Sequence, residues 1–324
     1  MIELHAEAPK IIVPLFARTL PELTAQAAAA QRADTADLVE QGVLSKAYSS
    51  SAGDDVQAQI NEIRNMMSEG YDAIVCIAAS ATGLQSVLEE AAERGIVVVC
   101  FDTTVDSDLV YNVNTDQFEY GRLLAQSLAD RMGGEGNILW IKGIEGNQVT
   151  LDRTEGMQSV LDNYPGIKVL GDGYGKWDDS TTASVMSNLM SAYASQGIDG
   201  ILSEGGGGHA IVQSLVENGI DPATVPISEG EMFNSFMKDW VEMDLDAFCT
   251  AQPPYLAAAA VDVALKVLNG EEVEPMTYVD LPTCSSKEEA EEKWYQPDQE
   301  GGFVCDWTDN NNTWNLTIED VAPN

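Results

Sequence analysis

The feature that most constrains this chain is a strand–helix–strand pattern that recurs almost from end to end. Its clearest instance runs from Gly70 to Thr104. Ala73 to Ala78 is a short, nearly continuous apolar run, and Ile96 to Phe101 is a second one, rich in β-branched residues. Between them, Leu84, Val87, Leu88, Ala91 and Ala92 recur at helical spacing. Strands apolar on both faces suit a parallel sheet covered by helices on each side, joined by right-handed crossovers. Ligands of such sheets sit beyond the carboxyl ends of the strands. Asp102 falls at such an end and is the first functional candidate. The competing role is a residue that merely turns the chain after a strand.

The same alternation frames the rest. Lys10 to Phe16 reads as a first strand, Thr19 to Gly42 as an alanine-rich helix, and Ser45 to Ser50 as a weak strand. A second round begins after Leu109 to Val113. It contains strands at Asn137 to Lys142, Ile167 to Leu170, Gly200 to Ser203, Val225 to Ile227, Ala247 to Ala251 and Met276 to Leu281, with helices between them. So long an alternation exceeds what one sheet usually holds. It predicts two doubly wound parallel-sheet (Rossmann-like) α/β domains, with a small-molecule cleft between facing carboxyl edges. The expected domains are 8–114 plus 253–280, and 115–252 plus 281–324 with a polar C-terminal extension.

Composition narrows the partners. With 53 acidic and 16 basic residues the net charge is −37, which disfavours nucleic acid, since phosphate recognition needs clustered Lys and Arg. A solvated acidic surface, in a saline habitat or otherwise, accounts for the imbalance. No run approaches the ~20 apolar residues of a membrane helix. The opening residues carry neither a basic n-region nor an apolar h-region, so an exported form is expected to have had its signal peptide removed. Of five cysteines, Cys76 and Cys100 lie in apolar strands and read as core. Cys284 and Cys305 flank an irregular polar segment and are disulfide candidates, which an oxidising compartment would permit.

Much chemistry is missing. Two histidines, His5 and His209, leave little room for a His-based metal site or a Ser-His-Asp triad, and no cofactor or metal is expected. Gly171 to Trp177 imitates a phosphate loop without its spacing. Gly205 to Gly208 reads as a tight strand-to-helix turn allowing close ligand approach. What remains are polar and aromatic residues at turn positions: Arg153, Trp177, Glu229, Glu231 and Gln252. Carboxylates and guanidinium pair with adjacent hydroxyls, and an aromatic face covers the apolar side of a sugar ring. No proton shuttle is evident, so binding is expected rather than turnover.

The segments Glu69–Val75, Gly95–Asp102, Thr115–Gly121, Asp152–Gly156 and the helix from Ala257 to Gly270, in that order and spacing, resemble the type I periplasmic solute-binding proteins of ABC sugar importers, the ribose-binding-protein family. The resemblance runs from about Lys10 to Leu281. It implies a three-crossing hinge near Asn114–Thr115, Gln252 and Leu281, with closure around a sugar or polyol. It also implies delivery to a membrane permease, a periplasmic or an extracellular membrane-anchored location, and a monomer. Its ligand set maps onto Asp102 with Thr103, Arg153, Trp177, Glu204 with Gly206, Glu229 or Glu231, and Gln252. The first loop offers only Phe16 and Arg18 where the family often carries Asn and aromatics. Three other readings compete: a LacI-like regulatory effector domain, a sugar-sensing receptor subunit, and an enzyme with two Rossmann-like domains.

Overall fold

The computed structural model describes residues 8–14, 21–50 and 55–305. No helix among them is long and apolar enough to cross a membrane. The chain divides into two compact units. Unit 1 holds the described residues up to Thr115 together with Pro253–Asp280, and unit 2 holds Asp116–Gln252 with the described residues from Leu281 on.

Unit 1 contains strands β1 (Lys10–Pro14), β2 (Lys46–Ser50), β3 (Ala73–Cys76), β4 (Val97–Phe101) and β5 (Tyr111–Asn114), with helices α1 (Pro21–Glu40), α2 (Val56–Glu69) and α3 (Ala81–Glu93) between the first four. Every residue of β3 and β4 is buried, as a strand covered by helices on both faces must be. Each helix needs its first N–H groups satisfied. Asp55 does this for α2, and Ser80 does it for α3, its hydroxyl accepting from Gly83 N at 3.1 Å. Cys76 and Cys100 are in register across β3 and β4, their sulfurs 3.8 Å apart and inaccessible. They belong to the core.

Unit 2 repeats the plan. It contains α4 (Gln117–Arg131), β6 (Glu135–Lys142), α5 (Gln148–Leu161), β7 (Gly166–Tyr174), α6 (Asp179–Tyr193), β8 (Gly200–Ser203), α7 (Gly208–Glu217), β9 (Ile227–Gly230), α8 (Asn234–Met243) and β10 (Ala247–Thr250). The chain then contributes α9 (Leu256–Leu268) and β11 (Met276–Tyr278) to unit 1 and β12 (Thr283–Cys284) to unit 2. The two sheets run β11-β5-β4-β3-β1-β2 and β12-β10-β9-β8-β6-β7. All the pairings are parallel except β10 with β12. In chain order each unit shows the 2-1-3-4-5 winding, whose switch point lies between its first and third strands. In unit 2 that point lies between β6 and β8.

Several sequence expectations shift. Strand β7 extends to Tyr174, through the glycines that imitate a phosphate loop. Those glycines are there because α6 packs on them: a Cβ on Gly171 would fall 2.4 Å from the Tyr193 ring, and one on Gly173 would fall 2.6 Å from Val185. The polar stretch from Thr283 to Cys305 is not a loose tail. It forms β12 and a helical segment, Lys287–Glu289 continuing through Ala290–Trp294, with Trp294, Phe303 and Val304 buried.

The expected Cys284–Cys305 disulfide is corrected, because the two are not joined. Antiparallel pairing sets Cys284 opposite Cys249 of β10. Cys305 is held instead to the start of α8, its N–H donating to Met232 O at 2.8 Å and its thiol to Asn234 Oδ1 at 3.3 Å.

Helices α4 and α5 cross at Gly121 and Gly156. A Cβ on Gly121 would fall 2.0 Å from Arg153 O, and one on Gly156 2.0 Å from Phe118 O. Only glycine permits so close an approach. The two segments Thr115–Gly121 and Asp152–Gly156 are therefore packed against one another.

Candidate functional site

In unit 2 the carboxyl ends of β6, β8, β9 and β10 converge on Arg153, which α5 presents at its first turns. Arg153 is 3% exposed, so its charge must be matched inside the protein. Its Nε donates to Gln117 Oε1 at 2.8 Å and its Nη1 to the carbonyl of Glu204 at 2.7 Å. Nη1 and Nη2 both reach Glu231 Oε1, at 3.4 and 3.3 Å. The guanidinium lies over the Tyr120 ring, 3.6 Å from its centroid, with the Trp177 ring centroid 5.8 Å away.

Glu231, 2% exposed, is the counter-charge. Burial pushes its carboxyl up, and Arg153, the Gln252 N–H and the Tyr120 hydroxyl draw it back down. Gln252 N donates to Glu231 Oε2 at 3.1 Å, and Gln117 Nε2 donates to Gln252 Oε1 at 3.0 Å. Gln117, Arg153, Glu231 and Gln252 thus form one network.

The other two glutamates hold the glycine turn between β8 and α7. Glu204 accepts Gly143 N at 2.9 Å across the switch point, and the Thr154 hydroxyl at 2.8 Å. Burial pushes it up to about 7 against those two bonds and the pull of Arg153. Glu229, inaccessible, accepts Gly207 N at 3.1 Å and leaves Oε2 with no partner. Burial pushes it up to about 8. The turn is packed by protein on every side described. Cβ atoms at Gly206, Gly207 and Gly208 would meet Trp177 O at 2.3 Å, Thr182 at 2.4 Å and the Phe236 ring at 2.7 Å. The run that the sequence suggests for close ligand approach is a run of close approaches between protein segments.

Backbone strain marks the same places. Five non-glycine residues among those described have positive φ: Asp102, Lys176, Trp177, Glu231 and Asp244. A non-glycine residue there costs on the order of 1–3 kcal/mol and persists where surrounding structure imposes it, which happens most at ligand-binding sites. Three of the five are residues the sequence singles out, and Lys176 adjoins one of them.

The sequence-derived candidates divide between the units. Arg153, Trp177, Glu204, Gly206, Glu229, Glu231 and Gln252 are brought together in unit 2. Asp102 and Thr103 belong to unit 1, half-buried beyond β4, with Asp102 N donating to Val113 O at 3.2 Å and its carbonyl accepting from Asn114 Nδ2 at 2.8 Å. Phe16 and Arg18 lie outside the described residues. Sequence reasoning missed Tyr120, Gln117, Thr154 and Gly143. Three of them sit within the segments Thr115–Gly121 and Asp152–Gly156, where Tyr120 and Gln117 share one face of α4 at i and i+3. Among the described residues no group of three or more His, Cys, Asp or Glu could hold a metal ion.

Residues 20–272 match the family profile described as a periplasmic binding protein domain. The chain is 31% identical over 171 residues to the xylitol-binding protein of Mycolicibacterium smegmatis, a stretch covering 52% of this chain and 49% of that protein. It is 31% identical over 86 residues to the D-xylose-binding periplasmic protein of Escherichia coli, 26% of each. The chain therefore spans about half the length of the first of these relatives and about a quarter of the second. Among solved structures, an ABC transporter periplasmic solute-binding protein from Actinobacillus succinogenes with bound D-allose superposes with a TM-score of 0.75 at 21% identity, covering 87% of this chain and 99% of that one. At that identity the likeness establishes the fold, two α/β units with parallel sheets.

Proposed function

The chain belongs to the periplasmic binding protein domain family, and on that premise we propose that it captures an uncharged sugar or polyol outside the cytoplasm and hands it to the membrane permease of an ABC importer. The observation that carries this reading is the buried Arg153–Glu231 pair at the carboxyl edge of the unit 2 sheet, strained at Glu231 and tied to Gln252. An arginine already matched by a carboxylate, with one Nη2 hydrogen left over, presents a donor with little net charge. That favours hydroxyl groups over phosphate or carboxylate. The named relatives, which bind xylitol and D-xylose, support a small polyhydroxylated ligand.

The proposal assigns direct contacts to Asp102 and Thr103 of unit 1 and to Arg153, Trp177, Glu231 and Gln252 of unit 2. Glu204, Glu229 and Gly206 hold the turn on which those contacts stand. The named relatives are binding proteins.

The test is a thermal-shift screen of xylitol, D-xylose, D-allose, L-arabinose and myo-inositol, with a sugar phosphate and an aldonate as charged controls. A ligand at ~100 times its dissociation constant adds about 2.7 kcal/mol of stability. A clear rise in Tm with at least one neutral compound and none with the charged controls is the expected result. Stabilisation by the charged controls alone would overturn the proposal.

A further inference from the structure

We infer that Tyr120 is a positioning residue of this site: its ring and its hydroxyl together fix the Arg153–Glu231 pair in the arrangement that meets the ligand. The inference rests on the reading of Arg153 and Glu231 as ligand contacts.

Three features of the geometry carry it. First, the guanidinium carbon lies 3.6 Å from the Tyr120 ring centroid. At that distance the two groups are in van der Waals contact, so the ring sets the plane of the cation as well as attracting it. Second, the same residue grips Glu231 twice. The Tyr120 hydroxyl donates to Glu231 Oε1 at 3.1 Å and accepts from Glu231 N at 3.0 Å. That N–H, from a residue at φ 70°, also donates to Thr250 O at 2.7 Å, so the phenol shares the support of the strained backbone with that carbonyl while also holding the carboxylate. Third, Tyr120 is inaccessible and so acts on a ligand only through its neighbours.

The surroundings are shaped for this ring. A Cβ on Gly230 would fall 2.6 Å from the phenol oxygen. The Gly121–Gly156 crossing brings α4 close enough to α5 for Tyr120 to lie beneath Arg153. Burial raises the phenol well above its ordinary value, so it stays a neutral donor throughout the working range.

Two variants separate positioning from packing. Tyr120→Phe keeps the ring and removes the hydroxyl, whereas Tyr120→Leu removes the plane. Binding of xylitol and of D-xylose is followed by calorimetry from pH 5 to pH 9, with Arg153→Lys alongside. The arginine Nε–H region of the ¹⁵N spectrum is recorded without ligand. In the wild type, one arginine signal should be shifted upfield by the ring beneath it. That signal should survive in Tyr120→Phe and vanish in Tyr120→Leu.

Tyr120→Leu should weaken binding on the order of tenfold to a hundredfold. Tyr120→Phe should weaken it less. It should also move the pH dependence of binding upward, because Glu231 loses a hydrogen bond that favours its charged form. Wild-type affinity and an unmoved pH profile in both Tyr120 variants, with binding lost in Arg153→Lys, would overturn this inference and leave the functional reading standing. Wild-type binding in Arg153→Lys, or no binding of either probe by the wild type, would instead overturn the reading of Arg153. In that case the arginine spectrum decides the clamp alone, and a signal indifferent to Tyr120→Leu sinks it.

Discussion

Replacing Arg153 by leucine should destabilise unit 2 by an amount that depends on pH, and the dependence is the informative part. The substitution leaves Glu231, 2% exposed, without its counter-charge. Breaking a buried ion pair from one side costs about 3–5 kcal/mol, because the remaining charge is uncompensated. Glu231 escapes that cost by binding a proton. Its carboxyl is already raised by burial, and Arg153 is the largest influence opposing the rise, so in the variant it titrates higher still. The folded variant then holds a proton that the unfolded chain, at about pH 4.3, releases. Its stability falls as pH rises from that value through the raised folded one, by about 1.4 kcal/mol per pH unit.

The loss relative to wild type should therefore be about 3–5 kcal/mol at pH 8. At pH 5 it should shrink toward the pH-independent part, the orphaned acceptors Gln117 Oε1 and Glu204 O, which at the lower end of the range cost about 1 kcal/mol each. Urea unfolding followed by tryptophan emission measures it, since Trp140, Trp177, Trp240 and Trp294 of unit 2 are buried reporters. Adding Glu231→Gln to Arg153→Leu should recover stability at pH 8, where a neutral amide needs no counter-charge. An equal loss at both pH values, with no recovery from Glu231→Gln, would refute the reasoning.

The wild type should itself be more stable at mildly acidic pH. Burial raises Asp34 and Glu204 to about 7 and Glu229 to about 8. The folded protein thus holds protons that the unfolded chain releases near pH 4, and stability falls between about pH 4 and pH 8. Calorimetry should find a higher Tm at pH 5.5 than at pH 8. The difference should persist in 1 M salt, which screens surface repulsion but not buried groups. Gly121→Ala drives a Cβ to 2.0 Å from Arg153 O and should cost at least about 1–3 kcal/mol as α4 and α5 part, visible as a lower urea midpoint. Asp102→Gly should hold or raise Tm, since glycine accepts φ 61° without strain, while ligand affinity by calorimetry falls.

What is legible without the structure is what is local to the chain. Strands such as Ala73–Cys76 and Val97–Phe101 are apolar on both faces, and a doubly wound parallel sheet follows from burying them, whereas the 2-1-3-4-5 order does not, since other doubly wound orders bury such strands equally. Residues after strand carboxyl ends, Asp102 and Trp177 among them, can be placed because such ends are set by their own neighbours in sequence. The network cannot be. Tyr120 and Glu231 are 111 positions apart, and nothing in either neighbourhood announces the other. Gly205 to Gly208 is legible as a need for space but not as to what fills it, which is Trp177, Thr182 and Phe236. The segment from Leu281 to Cys305 resembles a solvated tail because its polar and charged residues outnumber its apolar ones. Its few apolar side chains, Trp294, Phe303 and Val304, are the ones it buries.

The central claim, that one neutral polyhydroxylated molecule is held by Asp102 and by Arg153, is tested most directly by isothermal titration of xylitol and D-xylose into the wild type, Asp102→Ala and Arg153→Lys. The account predicts saturable one-to-one binding to the wild type by at least one of the two. It also predicts a loss of at least about tenfold in each variant, in line with a charge-assisted hydrogen bond of about 1.5–3 kcal/mol. Binding that survives unchanged in both variants would contradict it.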